Sequence, residues 1–237
     1  MILYEGPSQL DGAPIVVILT ESRNRKTGGM LQTWIMRADI EPHLALKTGA
    51  DSSVCGDCKH RPFNGGACYV RVFQAPLVVW KAWRRGNYQA APSLDAIAAR
   101  GAGHSIRLGA YGDPAAVPVE IWRALVSRAA AWTGYTHQWR DAVAAPLQSL
   151  AMASTDSPDE LADARAAGWR SFRVRAPFEP LAGKEIVCPA SDEAGKKTTC
   201  ETCRACGGTG AKARADIAIV AHGATARRFI VTRSKAA

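Results

Sequence analysis

The seven cysteines of this 237-residue chain fall into two tight groups, a spacing that strongly constrains what the chain can fold into. The first group contributes three thiols and the second contributes four, namely Cys55, Cys58 and Cys68, then Cys188, Cys200, Cys203 and Cys206. Cysteines a few residues apart on a loop can direct their sulfurs at one centre, as in thiolate metal sites. Because four thiolates close a site and three leave a position open, the sequence predicts a closed second site and an open first site.

The ligand spacing leaves the identity of each metal open. The C-x2-C-x2-C run that begins at Cys200, with Cys188 upstream, is typical of a [4Fe–4S] loop, and the same thiols also suit zinc. In the first group three thiolates suit an open cluster, whereas a fourth ligand from His60 or Asp57 would complete a structural zinc site. We therefore expect one or two [4Fe–4S] clusters, or zinc in their place.

Composition and charge predict a globular protein with an anionic partner. Hydrophobic residues make up 47% of the chain, and no apolar run reaches the ~20 residues that span a bilayer. Residues 1–7 lack the features of a secretory signal, so we expect a cytoplasmic protein with reduced thiols and no membrane partner. The net charge of +9, carried by short basic groups such as residues 23–26, indicates a nucleic acid or nucleotide partner.

Hydrophobic patterning predicts an α/β fold. The β-branched run Pro14–Thr20 and residues 31–36 predict an N-terminal hairpin, and strands alternate with helices from 105 to 175. Such alternation is typical of parallel strands joined by right-handed crossovers. The sequence therefore predicts a partial or distorted (β/α) barrel with mostly parallel strands, an N-terminal hairpin and a C-terminal cysteine-rich metal module.

The individual elements follow from the same patterns and from helix capping signals. Strands are predicted at 69–73, 105–111, 133–137, 147–154, 169–175, 185–188 and 216–221. Helices are predicted at 76–85, 94–100, 119–132 and 158–167, and residues 38–68 are predicted to be a loop. The predicted divisions are 1–68 for the hairpin and first cysteine loop, 69–184 for the barrel-like core, and 185–237 for the metal module and last strand.

Candidate catalytic residues lie at the predicted carboxyl ends of the parallel strands, where α/β folds place their sites. Asp113 and Asp156 form a possible carboxylate pair, and His137 is a candidate general base, zinc ligand or base-stacking residue. Each also has an alternative structural role. Asp113 can end a strand, Asp156 can cap the following helix, and His137 can be a rim residue with satisfied hydrogen bonds.

The Cys68-Tyr69 pair and the strand 105–111 that leads into Gly112-Asp113-Pro114 resemble features of radical S-adenosylmethionine enzymes. The resemblance implies that three cysteines hold a [4Fe–4S] cluster whose fourth iron binds the cofactor. It also implies cofactor-binding roles for Tyr69, Gly112, Asp113 and Ser154, with Asp156 and His137 lining the pocket. The second cysteine group resembles an auxiliary cluster region.

The whole chain is also similar to a family of small cysteine-rich phage and prophage proteins. The shared features are the Lys26-Thr27-Gly28 segment, the C-x2-C…C-Y loop and a strand followed by Gly-Asp. Two further hypotheses remain open from sequence. One is a zinc-containing enzyme resembling tRNA-guanine transglycosylases, with Asp113 and Asp156 catalytic on DNA or tRNA. The other is a non-enzymatic, zinc-stabilised protein that binds nucleic acid or acts as an inhibitor.

Overall fold

One sheet contains the nine strands found in the computed structural model, which describes residues 1–22 and 24–236. In sheet order the strands are β1 (Ile2–Pro7), β2 (Pro14–Thr20), β3 (Leu31–Arg37), β4 (Ser105–Tyr111), β5 (Ala131–Thr136), β6 (Met152–Thr155), β7 (Ser171–Arg175), β9 (Asp216–Val220) and β8 (Glu185–Val187). The first three strands pair antiparallel, and every later pair is parallel. The predicted α/β fold with mostly parallel strands is confirmed, and the sheet is open, which fits a partial barrel.

Helices fill the connections between the strands. They are α1 (Pro42–Thr48), α2 (Ser52–Cys55), α3 (Ala75–Arg84), α4 (Leu94–Gly101), α5 (Val119–Val126), α6 (Pro158–Ala166), α7 (Cys200–Cys203) and α8 (Ala226–Ala236). The hydroxyl of Ser93 accepts from the N–H of Ala96 and so caps α4. In the described part of the chain, no helix combines the length and the apolarity that crossing a bilayer requires.

The core lies under the first half of the sheet. Residues 15–18 of β2 are fully buried on both faces, which explains why this strand reads as a continuous apolar run. The indole of Trp122 on α5 is also fully buried, and its Nε1 donates to the carbonyl of Pro114 at 2.9 Å. The predicted N-terminal hairpin is confirmed as β2 and β3, and β1 adds a third antiparallel strand.

Several predicted element boundaries are wrong for local reasons. Residues 69–73 form no strand, although they are rich in β-branched and aromatic side chains, because the chain turns at residues 71–74 into α3, where the N–H of Gln74 donates to the carbonyl of Arg71 at 3.0 Å. The helix predicted to reach Trp132 ends at Val126, and Trp132 instead pairs with Ile106 in the parallel β4–β5 ladder. The strand predicted from 147 begins at Met152, because residues 142–147 form a short 3-10 helix around Pro146.

The region between β3 and β4 also differs from its prediction. Residues 38–68, predicted as a loop, contain α1 and α2. At the start of α6 the capping residue is Ser157, whose hydroxyl accepts from the N–H of Glu160 at 3.1 Å. Ser157 therefore caps α6 in place of Asp156, for which the sequence allowed this role. The Asp156 carboxylate is free to accept from other groups.

The C-terminal segment joins the same sheet, with β9 inserted between β7 and β8. Arg173 of β7 forms a two-pronged ion pair with Glu185 of β8, with nitrogen–oxygen distances of 2.8 and 2.7 Å and no exposure of either side chain. This pair spans the intervening strand. Arg23 of the predicted basic group and Ala237 of the predicted C-terminal division lie outside the described residues, and metal binding by that division stays a prediction.

Candidate functional site

The chemically distinctive side chains follow directly after parallel strands. Asp113 follows β4 after one glycine, His137 follows β5, Asp156 follows β6, Cys188 follows β8, and His222 lies just beyond β9. Because the carboxyl ends of parallel strands share one edge, the topology collects these residues at a single rim. The clustering of candidate residues predicted from the strand ends is therefore consistent with the observed topology.

A cavity of about 420 Å³ opens at this rim and is lined by both cysteine groups. Its wall includes all of the predicted metal ligands and all but one of the other predicted site residues, namely Cys55, Cys58, Cys68, Cys188, Cys200, Cys203, Cys206, Tyr69, Gly112, Asp113, His137 and Ser154. The exception is Asp156, which is buried beside the cavity. Two groups of thiols that are far apart in sequence therefore face a common space.

The first cysteine loop is folded by a central arginine. Arg61 donates to both carboxylate oxygens of Asp51, at 2.6 and 3.1 Å, and to the carbonyls of Gly49 and Gly56. The N–H of Cys68 donates to the carbonyl of His60 at 2.9 Å, which brings the distant third cysteine back to the first two. The C-x2-C-x9-C spacing is therefore compatible with one compact loop.

Backbone donors point at two sulfurs of this loop. Burial raises the pKa of Cys58 to about 12, opposed by the N–H of His60, which donates to its sulfur. Burial also raises the pKa of Cys68, opposed in the same way by the N–H of Val70. The thiols of Cys55, Cys58 and Cys68 are close enough for charge on one to raise the pKa of another. Burial and neighbouring thiols disfavour the thiolate form, and a bound cation would offset both effects. N–H donors to sulfur are typical of metal-ligating cysteines.

The second group is assembled around β8 and the short helix α7. Burial raises the pKa of Cys206 to about 12, while a hydrogen bond from the Tyr135 hydroxyl acts in the opposite direction. The sulfur of Cys188 receives a hydrogen bond from the N–H of Ala190. Burial raises the pKa of Cys188, and charge on Cys200 and Cys203 adds to that rise. The donor chemistry of both groups therefore suits a thiolate-bound metal.

The potential metal-ligating side chains are not arranged around one coordination centre. Within residues 1–22 and 24–236, no three His, Cys, Asp or Glu side chains form a ready coordination sphere. The fit of a metal or cluster to these loops therefore rests on the donor set, the burial of the sulfurs and the N–H groups that face them.

Asp113 is held by the backbone. Its two carboxylate oxygens accept from the N–H groups of Ala115 and His137, at 3.0 and 2.7 Å. Burial raises its pKa to about 6, although these hydrogen bonds favour the ionised form. Burial also lowers the pKa of His137 to about 4, so that its ring is neutral at neutral pH. The turn-forming role that the sequence allowed for Asp113 is present, and the residue also lines the cavity.

Asp156 is engaged by the first cysteine loop. One oxygen accepts from Nε2 of His60 at 2.7 Å and from Nζ of Lys59 at 2.9 Å. Burial acts to raise its pKa, but the hydrogen bond and charge of His60 and the charge of Lys59 hold it at about 2. The two predicted carboxylates therefore have different partners, and only Asp113 of the two lines the cavity.

Two segments close the cavity from outside the sheet. Residues 26–29 pair with α7, because the N–H of Cys200 donates to the carbonyl of Lys26 at 3.1 Å and the N–H of Gly29 donates to Glu201 at 2.7 Å. The residues at the start of α8 cover the first cysteine loop. There Thr225 donates to the carbonyl of Ala67 at 2.8 Å, and the ring of Phe229 lies against His60.

Sequence reasoning missed several residues of the wall, including Arg107, Phe172, His222 and Phe229. Arg107 carried a signal, because it is the single charged residue in an otherwise apolar strand, β4. An arginine in such a strand faces either a partner or a cavity. The aromatic residues carried no comparable signal, since apolar side chains at strand positions are ordinarily core.

Comparisons with protein-family models, with curated proteins and with solved structures found no match to this chain. The geometry and donor chemistry of the cavity are therefore the basis for a functional proposal.

Proposed function

We propose that this protein is an iron–sulfur enzyme of the radical S-adenosylmethionine type that modifies a nucleic acid or a nucleotide. The observation that carries the proposal is the shared cavity. A three-thiol loop and a four-thiol group, distant in sequence, line one space at the carboxyl edge of a parallel sheet. An open metal site next to room for a small molecule is the arrangement that cofactor chemistry requires.

The first loop would hold the open cluster through Cys55, Cys58 and Cys68. When bound, such a cluster supplies one-electron chemistry to S-adenosylmethionine. The N–H groups on two of these sulfurs stabilise thiolate character, and the Arg61 guanidinium, which interacts with Cys55 and Cys58, adds positive charge. These features favour anionic ligands in a buried loop.

Residues next to the loop would orient the cofactor. Gly112 has a φ of 82° and packs against Ile35 and the carbonyl of Val54, so a side chain there would collide with the β3 edge. This packing fixes the position of Asp113, whose N–H donates to Val54 at 2.6 Å. Asp113 is the one Asp or Glu among the described lining residues, so it would be the acidic group that faces an amino group of the cofactor.

The second group would hold a closed cluster through Cys188, Cys200, Cys203 and Cys206. Its four thiols need no further ligand, which suits an electron-transfer or structural role. Tyr135 and Cys206 both line the cavity, so this site and the ligand would share a boundary. Hydrogen bonds to a ligating sulfur tune the reduction potential of a cluster.

The transglycosylase-like alternative has less support from the geometry. It needs two carboxylates that both reach the substrate, whereas Asp156 accepts from His60 and Lys59 and does not line the cavity. A zinc-stabilised protein without enzymatic activity uses the same thiols, so metal analysis distinguishes it.

The proposal is tested by cofactor cleavage in anaerobically purified protein. With dithionite as the reductant, we expect wild-type protein to convert S-adenosylmethionine to 5′-deoxyadenosine and methionine. Cys58→Ser should abolish this reaction. Cys203→Ser is the matched control, since it removes one thiol from the second group and leaves the first group intact. Absence of cleavage by wild-type protein that contains iron and sulfide would overturn the proposal.

A further inference from the structure

Four side chains on the cavity wall contact one another in a row, through two polar contacts and one ring–ring contact. Nη2 of Arg107 donates to the hydroxyl of Tyr69 at 2.7 Å, and the Tyr69 ring lies 6.1 Å from the ring of His222. Nε2 of His222 in turn lies 3.2 Å from Nζ of Lys26. The row thus links β4, the first cysteine loop, the end of β9 and the loop after β2, and each of its four residues lines the cavity.

The two cations of this row have no carboxylate partner. Among the described residues, no ion pair involves Arg107 or Lys26. Nε of Arg107 is buried and has no hydrogen-bond partner within the described part of the chain. Because no described carboxylate pairs with this guanidinium, it is available to an anion that enters the cavity.

The rest of the wall does not supply that anion as a carboxylate. Asp113 is the one Asp or Glu among the described lining residues, and its oxygens already accept from Ala115 and His137. The lining also includes the side chains of Tyr111, Tyr135 and Phe172, which together are called the aromatic wall. Aromatic side chains, a guanidinium and an ammonium on one cavity match a ligand with a planar ring and a phosphate.

We propose that Arg107 and Lys26 bind the phosphate group of a nucleotide ligand whose base lies against the aromatic wall of the same cavity. The planar guanidinium suits two-pronged contact with phosphate, and Tyr69 fixes its orientation. This inference rests on the proposed function for the chemistry performed, and it names the substrate class, a nucleoside monophosphate unit. The binding itself is measurable without turnover.

The test is calorimetric titration of anaerobically purified protein that retains its metal. The probes are adenosine and guanosine 5′-monophosphates, the matching nucleosides, and inorganic phosphate. We expect at least one monophosphate to bind about ten- to a hundredfold more tightly than its nucleoside, because a charge-assisted contact is gained. Inorganic phosphate should compete with that monophosphate.

The variants are Arg107→Gln and Lys26→Gln, with Lys81→Gln on the exposed face of α3 as the charge-matched control. Each of the first two should lower monophosphate affinity about tenfold and leave nucleoside affinity unchanged, while the control changes neither. Lys26 is exposed, so its variant keeps the test valid if Arg107→Gln does not fold.

Three outcomes would overturn the inference. The first is equal affinity for monophosphates and nucleosides. The second is a loss of iron or zinc in Arg107→Gln with unchanged monophosphate affinity. Charge on Arg107 and Lys26 also lowers the pKa of Cys200, which burial raises, so this outcome would mean that the two cations only stabilise thiolates. The third is a loss of affinity for S-adenosylmethionine only, which would assign the cations to the cofactor carboxylate. Metal content and cofactor cleavage, measured on the same samples, separate these results from failure of the proposed function.

Discussion

Nε2 of His60 lies 2.7 Å from Oδ2 of Asp156, a contact that ties the first cysteine loop to the carboxyl end of β6. Lys59 reaches the same oxygen at 2.9 Å and also Glu160 at 2.8 Å. The loop that carries Cys55, Cys58 and Cys68 is therefore anchored to the sheet through a buried carboxylate, and its position depends on the charge of Asp156.

Asp156→Asn should weaken this anchor. The substitution removes the charge that receives two donors, and hydrogen bonds to charged groups contribute about 1.5–3 kcal/mol each. We expect a fall of about 2 kcal/mol in the free energy of unfolding, measured by urea denaturation under anaerobic conditions. Asp159→Asn, at an exposed position in the first turn of α6, is the control and should cost less than about 1 kcal/mol. Equal effects of the two substitutions would contradict the anchoring role.

Asp113 predicts a pH dependence of stability. Its pKa in the folded protein is about 6, raised by burial from 3.8, so its contribution is complete below about pH 3.8 and is lost as the pH rises through about 6. The free energy of unfolding of wild type, relative to that of Asp113→Asn, should therefore fall by about 1 kcal/mol between about pH 5 and about pH 7.5. The measurement is urea unfolding across this range, with the exposed Asp95→Asn as the control. A difference that stays constant with pH would show that Asp113 does not titrate there.

The buried pair Arg173–Glu185 gives a third prediction. Both side chains are inaccessible to solvent, so Glu185→Gln leaves a guanidinium without its counter-charge. The expected cost is about 3–5 kcal/mol in the free energy of unfolding. The double variant Arg173→Met/Glu185→Leu removes both charges and should recover most of that stability. A double variant no more stable than Glu185→Gln would mean that the pair is indispensable to the packing of β7, β9 and β8.

Gly28 links the Lys26-Thr27-Gly28 segment to the second cysteine group. It has a φ of 74°, and a Cβ there would lie 2.6 Å from Oε2 and 3.1 Å from Cβ of Glu201 on α7. Gly28→Ala should therefore displace α7 and lower the metal content of the second group. Gly12→Ala is the matched control, because Gly12 has a φ of 78° and open space around its Cα. It should cost about 1 kcal/mol of backbone strain and leave the metal content unchanged. The idea fails if both variants retain the same metal content as wild type.

Much of the fold and part of the candidate site could be predicted from local sequence patterns. Apolar runs identified β2 and β4, and Ser93 and Pro158 marked the starts of two helices, because these signals are local. Strand β1 was missed, since Ile2–Pro7 has only a three-residue run, Ile-Leu-Tyr, before Glu-Gly-Pro. Its place is set by pairing with β2, a tertiary effect that intrinsic preference does not report.

The strand ends placed both cysteine groups near one rim, but the contacts that bring the two groups together were beyond local reasoning. Spacing within a group shows that its thiols can share a centre, but it does not report where the other group lies. The meeting depends on β8 and β9 joining the far edge of the sheet and on contacts such as Thr225 to Ala67. Lys26 and Arg107 meet the cavity for the same reason, since their neighbours in space are distant in the chain.

The most direct test of the central claim is quantification of iron, acid-labile sulfide and zinc per chain in anaerobically purified protein. It is made on wild type and on two variants in which either cysteine group is replaced by serine. The proposal predicts iron and sulfide in wild type and loss of about half of each in either variant, because each group holds one cluster. A colourless wild-type protein with stoichiometric zinc and no iron would contradict it.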